Sequence, residues 1–305
     1  MAKPGKVRTL LEYAAARSVL AVLSALPLAW AMRVGRSMGG LAHGLAGDLR
    51  QTGHRNLKLA FPDKSEQERR EILSGCFRSF GRQLGLFSHF SSDSREQLLS
   101  LTEWKGLENL ETAKAQGKAV ILFTGHVGAW ELSSFGLSLQ GHPLSFLVRR
   151  LDNPKVEQMV ERIRTRFGNQ SVDKRGAARP MLTILKNGGT LGLLVDLNTL
   201  DDEAIFVDFF GVPASTTFML AKLALRTDAV VLPIFAPWDD RLGKFLVHTL
   251  PPVSIERTGD EQEDVRRFTA ELSRSVENYI RRYPEQWLWI HKRWKTRPAG
   301  EKEIY

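Results

Sequence analysis

From Lys118 onward the chain alternates short apolar, β-prone runs with stretches of helical periodicity, and this alternation constrains the fold more than any other property of it. The apolar runs are 119–124, 144–148, 190–196, 204–210, 229–236 and 244–250. Between most of them lie helix-like stretches at 129–140, 154–168, 177–187 and 216–227, and a last one at about 260–283. The pattern predicts an α/β fold with a mixed, largely parallel central sheet flanked by helices. Residues 1–115 read as helical instead. Glu66 to Phe90 follows Asp63-Lys64-Ser65, a capping signal, and the segment from Asn56 ends an earlier helix at Pro62. The expected organisation is a helical N-terminal region over 1–115, an α/β core over 116–297 and a tail over 298–305.

Charge is unevenly placed. Residues 1–60 carry nine basic and two acidic side chains and residues 281–305 seven and three, so the net charge of +9 comes from +7 and +4 at the two ends around a middle of −2. Basic ends point to an anionic surface. Fifteen uncharged residues, Ser18 to Met32, lie between Arg17 and Arg33. As a helix they span roughly 22 Å, short of the ~30 Å hydrocarbon core, and Pro27 would kink them. We therefore expect a membrane-associating layer with an in-plane anchor helix over about 10–33, and Arg17, Trp30, Arg33 and Arg36 at the interface. The alternative is a buried first helix. A nucleic-acid binder rarely needs such an uncharged run, so no nucleic-acid partner is expected. The single cysteine, Cys76, sits among apolar residues and reads as a buried, inert thiol.

Three apolar runs end in chemistry. The first stops at Thr124-Gly125-His126, with Glu131 five residues on. A strand that halts at a Gly-His turn and restarts as a helix puts an imidazole where open α/β sheets bind ligands. In one straight helix residues 126 and 131 would diverge by roughly 140°. They can meet only if His126 lies in the turn before the helix, where Glu131 would fix the ring's tautomer for general-base work. A capping or hydrogen-bonded core histidine is the plainer reading. The second run ends at Arg149-Arg150 before the turn Asp152-Asn153-Pro154, a grip for a phosphate or an oxyanion, or simply a solvated strand end. The third ends at Asp196. Ser215-Thr216-Thr217 before an apolar helix is either an N-cap or an anion-binding helix start. The tail carries Trp287, Trp289 and Trp294 among bases, which fits a membrane interface or cation–π packing on the protein's own surface; His291 among them reads as structural. There is no Gly-x-Ser-x-Gly elbow, no His-Glu-x-x-His and no zinc spacing among the histidines, so hydrolase and metal chemistry are not expected.

Several of these segments together resemble a known family. His126-x4-Glu131, Arg149 with Leu151–Pro154, Phe209-Phe210-Gly211 followed by Thr216-Thr217, the Trp287–Trp294 segment and the stretch from Asn56-Leu57 to Phe61-Pro62 look like the late acyltransferases (lauroyl and myristoyl) of lipid A and lipopolysaccharide biosynthesis. These belong to the wider His-x4-Asp/Glu group of glycerolipid and lysophospholipid acyltransferases, and the likeness runs through residues 10–297 in order. It implies an enzyme anchored on the cytoplasmic face of the bacterial inner membrane. Such an enzyme moves a fatty acyl chain from acyl carrier protein (or acyl-CoA) to a hydroxyl of a glycolipid acceptor, with no cofactor and no metal. His126 is then the general base and Glu131 its orienting partner. Arg149 holds a phosphate or the oxyanion, and Arg150, Asp152, Asp196, Thr216 and Thr217 line the substrate. Two positions depart from the family: Asp196 precedes Leu197-Asn198 where glutamine is common, and Arg150 stands where proline is common. Both bear on the acceptor. Glu131, rather than aspartate, leans toward the lipid A branch over the one acting on mannosylated phosphatidylinositol. A lysophospholipid acceptor, or a lipid-binding protein without turnover, are the alternatives.

Overall fold

The computed structural model describes residues 5–200 and 204–305. The chain opens with α1 (Lys6–Ser24) and α2 (Leu28–Leu45), not with one anchor helix over 10–33. Pro27 has no N–H to continue the first helix, and it serves as the N-cap of the second, so the apolar run breaks instead of kinking. Helix α3 (Gly47–Ala60) stops before Pro62 as expected, and α4 (Glu66–His89) starts at a full capping box. Ser65 Oγ accepts from the Glu68 N–H at 3.2 Å and Glu68 accepts from the Ser65 N–H at 2.7 Å. Helix α2 lies against α4 on glycines. A methyl group on Gly35 would sit 2.2 Å from the Gly81 carbonyl oxygen, and one on Gly85 would sit 2.4 Å from that of Ala31. The two backbones are in direct contact, and among the described residues the opposite face of α2 is exposed.

The rest of the chain runs α5 (Arg95–Ser100), β1 (Thr102–Lys105), α6 (Leu107–Ala115), β2 (Val120–Thr124), α7 (Trp130–Leu139), β3 (Ser145–Val148), α8 (Pro154–Arg164) and β4 (Gln170–Asp173). It continues with α9 (Ala178–Lys186), β5 (Thr190–Leu194), β6 (Ala204–Phe209), β7 (Val212–Thr217), α10 (Met219–Thr227), β8 (Val230–Phe235), β9 (Trp238–Asp239), β10 (Lys244–Thr249) and α11 (Glu261–Arg282). The central sheet has the order β1-β10-β8-β2-β5-β3-β4, with β9 on β10. From β8 to β4 every pairing is parallel; β10 is antiparallel to β8 and parallel to β1. The fold is thus the expected mixed, largely parallel α/β sheet flanked by helices. Strand β2 is buried along its whole length. Ile121 and Phe123 enter the core under α11, while Val120 and Leu122 enter the one under α7, as the two-residue period of a strand requires.

Two differences from the pattern expected of the sequence have local causes. The helix expected over 216–227 begins only at Met219, because 212–217 pairs with 204–209 in a hairpin. Its turn, Phe210-Gly211, has both residues at positive φ, the tight connection whose twist suits flanking strands. Phe210 accepts the left-handed backbone because its N–H donates to Glu277 at 2.6 Å and its ring stacks under Arg281. The second difference is the tail. Trp287, Trp289 and Trp294 are 1% exposed or less, so they are core and not an interface. After a 3-10 turn at Pro284–Gln286, this segment threads between β2, α4 and the hairpin. Asn56 donates to the carbonyls of Trp289 and His291, both at 2.7 Å, and the buried thiol of Cys76, its pKa pushed up to about 12 by burial, donates to that of Trp287.

Candidate active site

The carboxyl ends of β2, β5 and β3, neighbours in the sheet, deliver His126, Asp196 and Arg149 to one edge. His126 lies in the turn before α7. Gly128 makes that turn with φ +61°, and a side chain there would strike the Ala236 carbonyl at 2.3 Å. Gly125 is required on other grounds. A Cβ there would sit 2.9 Å from Asp196 Oδ2, so its absence lets the carboxylate reach the backbone. Asp196 accepts the His126 backbone N–H at 2.6 Å and contacts the ring's Nδ1 at 2.8 Å. Its Oδ2 also accepts the Trp287 indole N–H at 2.7 Å. Burial alone would raise this carboxyl's pKa. The His126 imidazole and the three hydrogen bonds outweigh it and hold the group at about 2, ionised at any physiological pH. An ionised Asp196 can only accept, so in the neutral ring Nδ1 carries the proton and Nε2 keeps a free lone pair.

Glu131, in the first turn of α7, faces elsewhere. Its carboxylate forms a two-point ion pair with Arg164 at the end of α8, with Arg164 Nε donating at 2.9 Å. The hydrogen bond to His126 expected of Glu131 is therefore made by Asp196, while Glu131 shares with His126 the wall of a cavity of about 530 Å³. Arg149, Arg164, Thr217 and His291 line the same cavity. Arg149 is largely exposed and only loosely paired with Asp152, at 3.4 Å. Arg150 turns away, onto Glu157, Glu161 and Asp173. Thr216 is buried and receives Arg293 Nη2 at 2.5 Å, behind the cavity instead of in it. Arg164 had no sequence signal, being one of several bases on a charged helix. Trp130, the residue before Glu131, sets its ring 5.0 Å from that of His126.

His291 joins the site through the rethreaded tail. Its Nε2 accepts the Asn198 backbone N–H at 3.1 Å, which puts the ring proton on Nδ1. Burial, opposed by the Asp196 charge and helped by that of Arg293, lowers its pKa to about 4. The unfolded chain protonates this ring near 6.5, so between pH 6.5 and 4 the unfolded state binds the extra proton and stability falls with pH. By pH 5 the loss from this group should reach about 2 kcal/mol. Thermal melts at pH 7 and pH 5 should show a drop that His291→Asn reduces; equal slopes would remove His291 as its source.

Sequence comparison adds the class of enzyme to this geometry. Residues 5–296 match the family of bacterial lipid A biosynthesis acyltransferases, and the chain belongs to that family; it is an acyltransferase. One relative is a lipid A biosynthesis lauroyltransferase of Escherichia coli, 31% identical with 94% of this chain and 92% of the relative covered. A lipid A biosynthesis acyltransferase of Haemophilus influenzae is 29% identical over 81% of this chain and 76% of its own. A lipid A biosynthesis myristoyltransferase of E. coli is 26% identical, covering 88% and 82%.

Proposed function

We propose that the protein transfers a fatty acyl chain from a thioester of acyl carrier protein, or of CoA, to a hydroxyl of a lipid A precursor, with His126 as general base. The observation that carries this is the His126–Asp196 pair at the mouth of the sheet, with Nε2 left free beside an open cavity. The acceptor hydroxyl oxygen attacks the thioester carbonyl carbon while Nε2 takes its proton. Asp196 keeps Nδ1–H in place and stabilises the imidazolium, the role that the sequence alone suggests for Glu131. The carbonyl oxygen becomes an oxyanion, for which Arg164 and the Nδ1–H of neutral His291 are available donors on the cavity wall. The C–S bond then breaks and the thiolate leaves, taking the proton back from the imidazolium. No covalent acyl-enzyme is needed, since a thioester is already activated. Arg149, a largely solvated cation of the wall, suits an acceptor phosphate.

A few methylenes of the acyl chain have a slot of their own. Past the Glu131–Arg164 pair the cavity continues as a narrow apolar pocket of about 70 Å³ between α7 and the sheet, walled by Leu122, Leu137, Leu144, Phe146 and Ile234. Gly192 forms its floor, where a Cβ would lie 2.9 Å from Leu144 Cδ1. Gly192→Leu should shift the donor preference to shorter chains, at roughly fourfold in kcat/KM per methylene excluded. Competing donors of graded length would measure it, and an unchanged length profile would put the chain elsewhere.

Membrane attachment is supported by the free face of α2. Trp30, Val34, Met38, Leu41 and Leu45 recur at helical spacing and are all exposed, Leu45 to 88%. Arg33 folds over Trp30 at 5.2 Å, and Arg36 is exposed beside it. No helix among the described residues is long and apolar enough to cross a bilayer, which fits an in-plane anchor at the cytoplasmic leaflet. The direct test is incubation of purified protein with acyl carrier thioesters and either a lipid A precursor or a lysophospholipid. Acylation of the glycolipid is expected; acylation of the lysophospholipid alone would overturn the acceptor assignment.

A further inference from the structure

On the far side of α8 from the site, a second hollow of about 400 Å³ opens between α1, α8 and the end of α4. Arg17 reaches into its wall from α1, and Lys155 and Arg162 from α8; no carboxylate among the described residues lines it. Among the described residues none of the three cations has an ion pair, and Lys155 has only the ring of Tyr13, 5.8 Å away. Acids that neighbour the lining residues along the chain are committed elsewhere. Glu12 holds Arg8 and Asn153, Glu161 holds Ser171 and Arg150, and Asp93 holds His89. Three like charges converging from two helices repel one another unless an anion joins them. Two guanidiniums and an ammonium offer the donors that phosphate oxygens accept. The floor carries Leu20 and Met159, and α1 exposes Val7, Leu10, Leu11 and Val22 outside it, an apolar path for acyl tails.

We infer that this hollow binds the phosphate of an anionic membrane lipid, which bridges α1 to α8. The inference deepens the membrane-bound reading and rests on it. Bridging has a consequence for the site, because α1 also holds Asn153, whose side chain donates to Thr9 O at 2.9 Å and to Glu12 at 3.0 Å. Asn153 caps α8, the helix that ends in Arg164.

The test compares the wild-type chain with the triple variant Arg17→Gln, Lys155→Gln, Arg162→Gln in sedimentation with phosphatidylcholine vesicles, with and without phosphatidylglycerol. At roughly fivefold per cation, the triple variant should lose about a hundredfold of the preference for anionic vesicles. A control that removes as many charges outside the hollow, Lys6→Gln with Arg33→Gln and Arg36→Gln, should lose roughly tenfold or less, and thermal melts should show all variants folded. Millimolar inorganic phosphate should not displace wild-type protein from the vesicles. Full displacement by it would make the hollow a site for a free anion and overturn the lipid assignment. Equal losses in both variant sets would reduce the effect to diffuse charge and overturn it too. A variant that keeps its vesicle preference but raises the KM for acyl carrier thioester would assign the hollow to the acidic carrier instead. If wild-type protein binds neither vesicle, the membrane-bound reading itself fails, an outcome distinct from selective loss in the variant.

Discussion

His126→Ala should reduce acyl transfer roughly 10⁴-fold, and Asp196→Asn should do nearly as much harm while leaving the cavity wall intact. The second result follows from which oxygen is bound to what. Asp196 Oδ2 receives two fixed donors, the His126 main-chain N–H and the Trp287 indole. An asparagine must therefore keep its oxygen there and point its NH₂ at Nδ1. That group donates, so Nδ1 becomes an acceptor and the proton moves to Nε2, where it blocks base catalysis. Single-turnover transfer at saturating substrate is the readout. Glu131→Gln separates the two carboxylates. It weakens the ion pair to Arg164 and leaves the Asp196 contact untouched, so it should spare the pH profile of kcat that Asp196→Asn alters. An Asp196→Asn enzyme within tenfold of normal turnover would remove Asp196 from the proton relay and return Glu131 to consideration.

Arg293→Met should be the most damaging change to stability, at about 3–5 kcal/mol, or a melting temperature lower by roughly 10 °C. Arg293 is fully buried beneath the site. Its Nη1 donates to Ser215 O at 2.6 Å and to Leu197 O at 3.3 Å, its Nη2 to Thr216, and the guanidinium plane covers Phe209 at 5.0 Å. Methionine fills the volume but leaves the Leu197 carbonyl and the buried Thr216 hydroxyl without this donor, leaves Ser215 O only the 3.4 Å bond from the Thr199 N–H, and removes the buried positive charge that faces Asp196. Calorimetry would show the shift. A variant melting with the wild type would mean that water enters and satisfies those groups.

Much of this arrangement was legible in the sequence, and the reasons for the rest are physical. Apolar runs that end in a charged or polar residue marked His126, Arg149 and Asp196, because a parallel strand's end is where burial stops. Their adjacency was not legible, since β5 enters between β2 and β3 only through tertiary pairing. Glu131 was within reach of His126 along the chain, so a local partner was expected where a distant one is found. Strands β1 and β4 were missed because Thr-Glu-Trp-Lys and Gln-Ser-Val-Asp are short and half polar. The tryptophans misled for a related reason: flanking bases mark a wet surface only when their chains point outward, and Arg293 points in.

The glycine contact between α2 and α4 has a mechanical meaning. With main chain pressed on main chain, that joint has no side chains to rearrange and so little play. If α2 floats at the lipid boundary, the depth at which it rides is passed rigidly to the sheet, and the entrance for both substrates is held at a fixed height above the waterline.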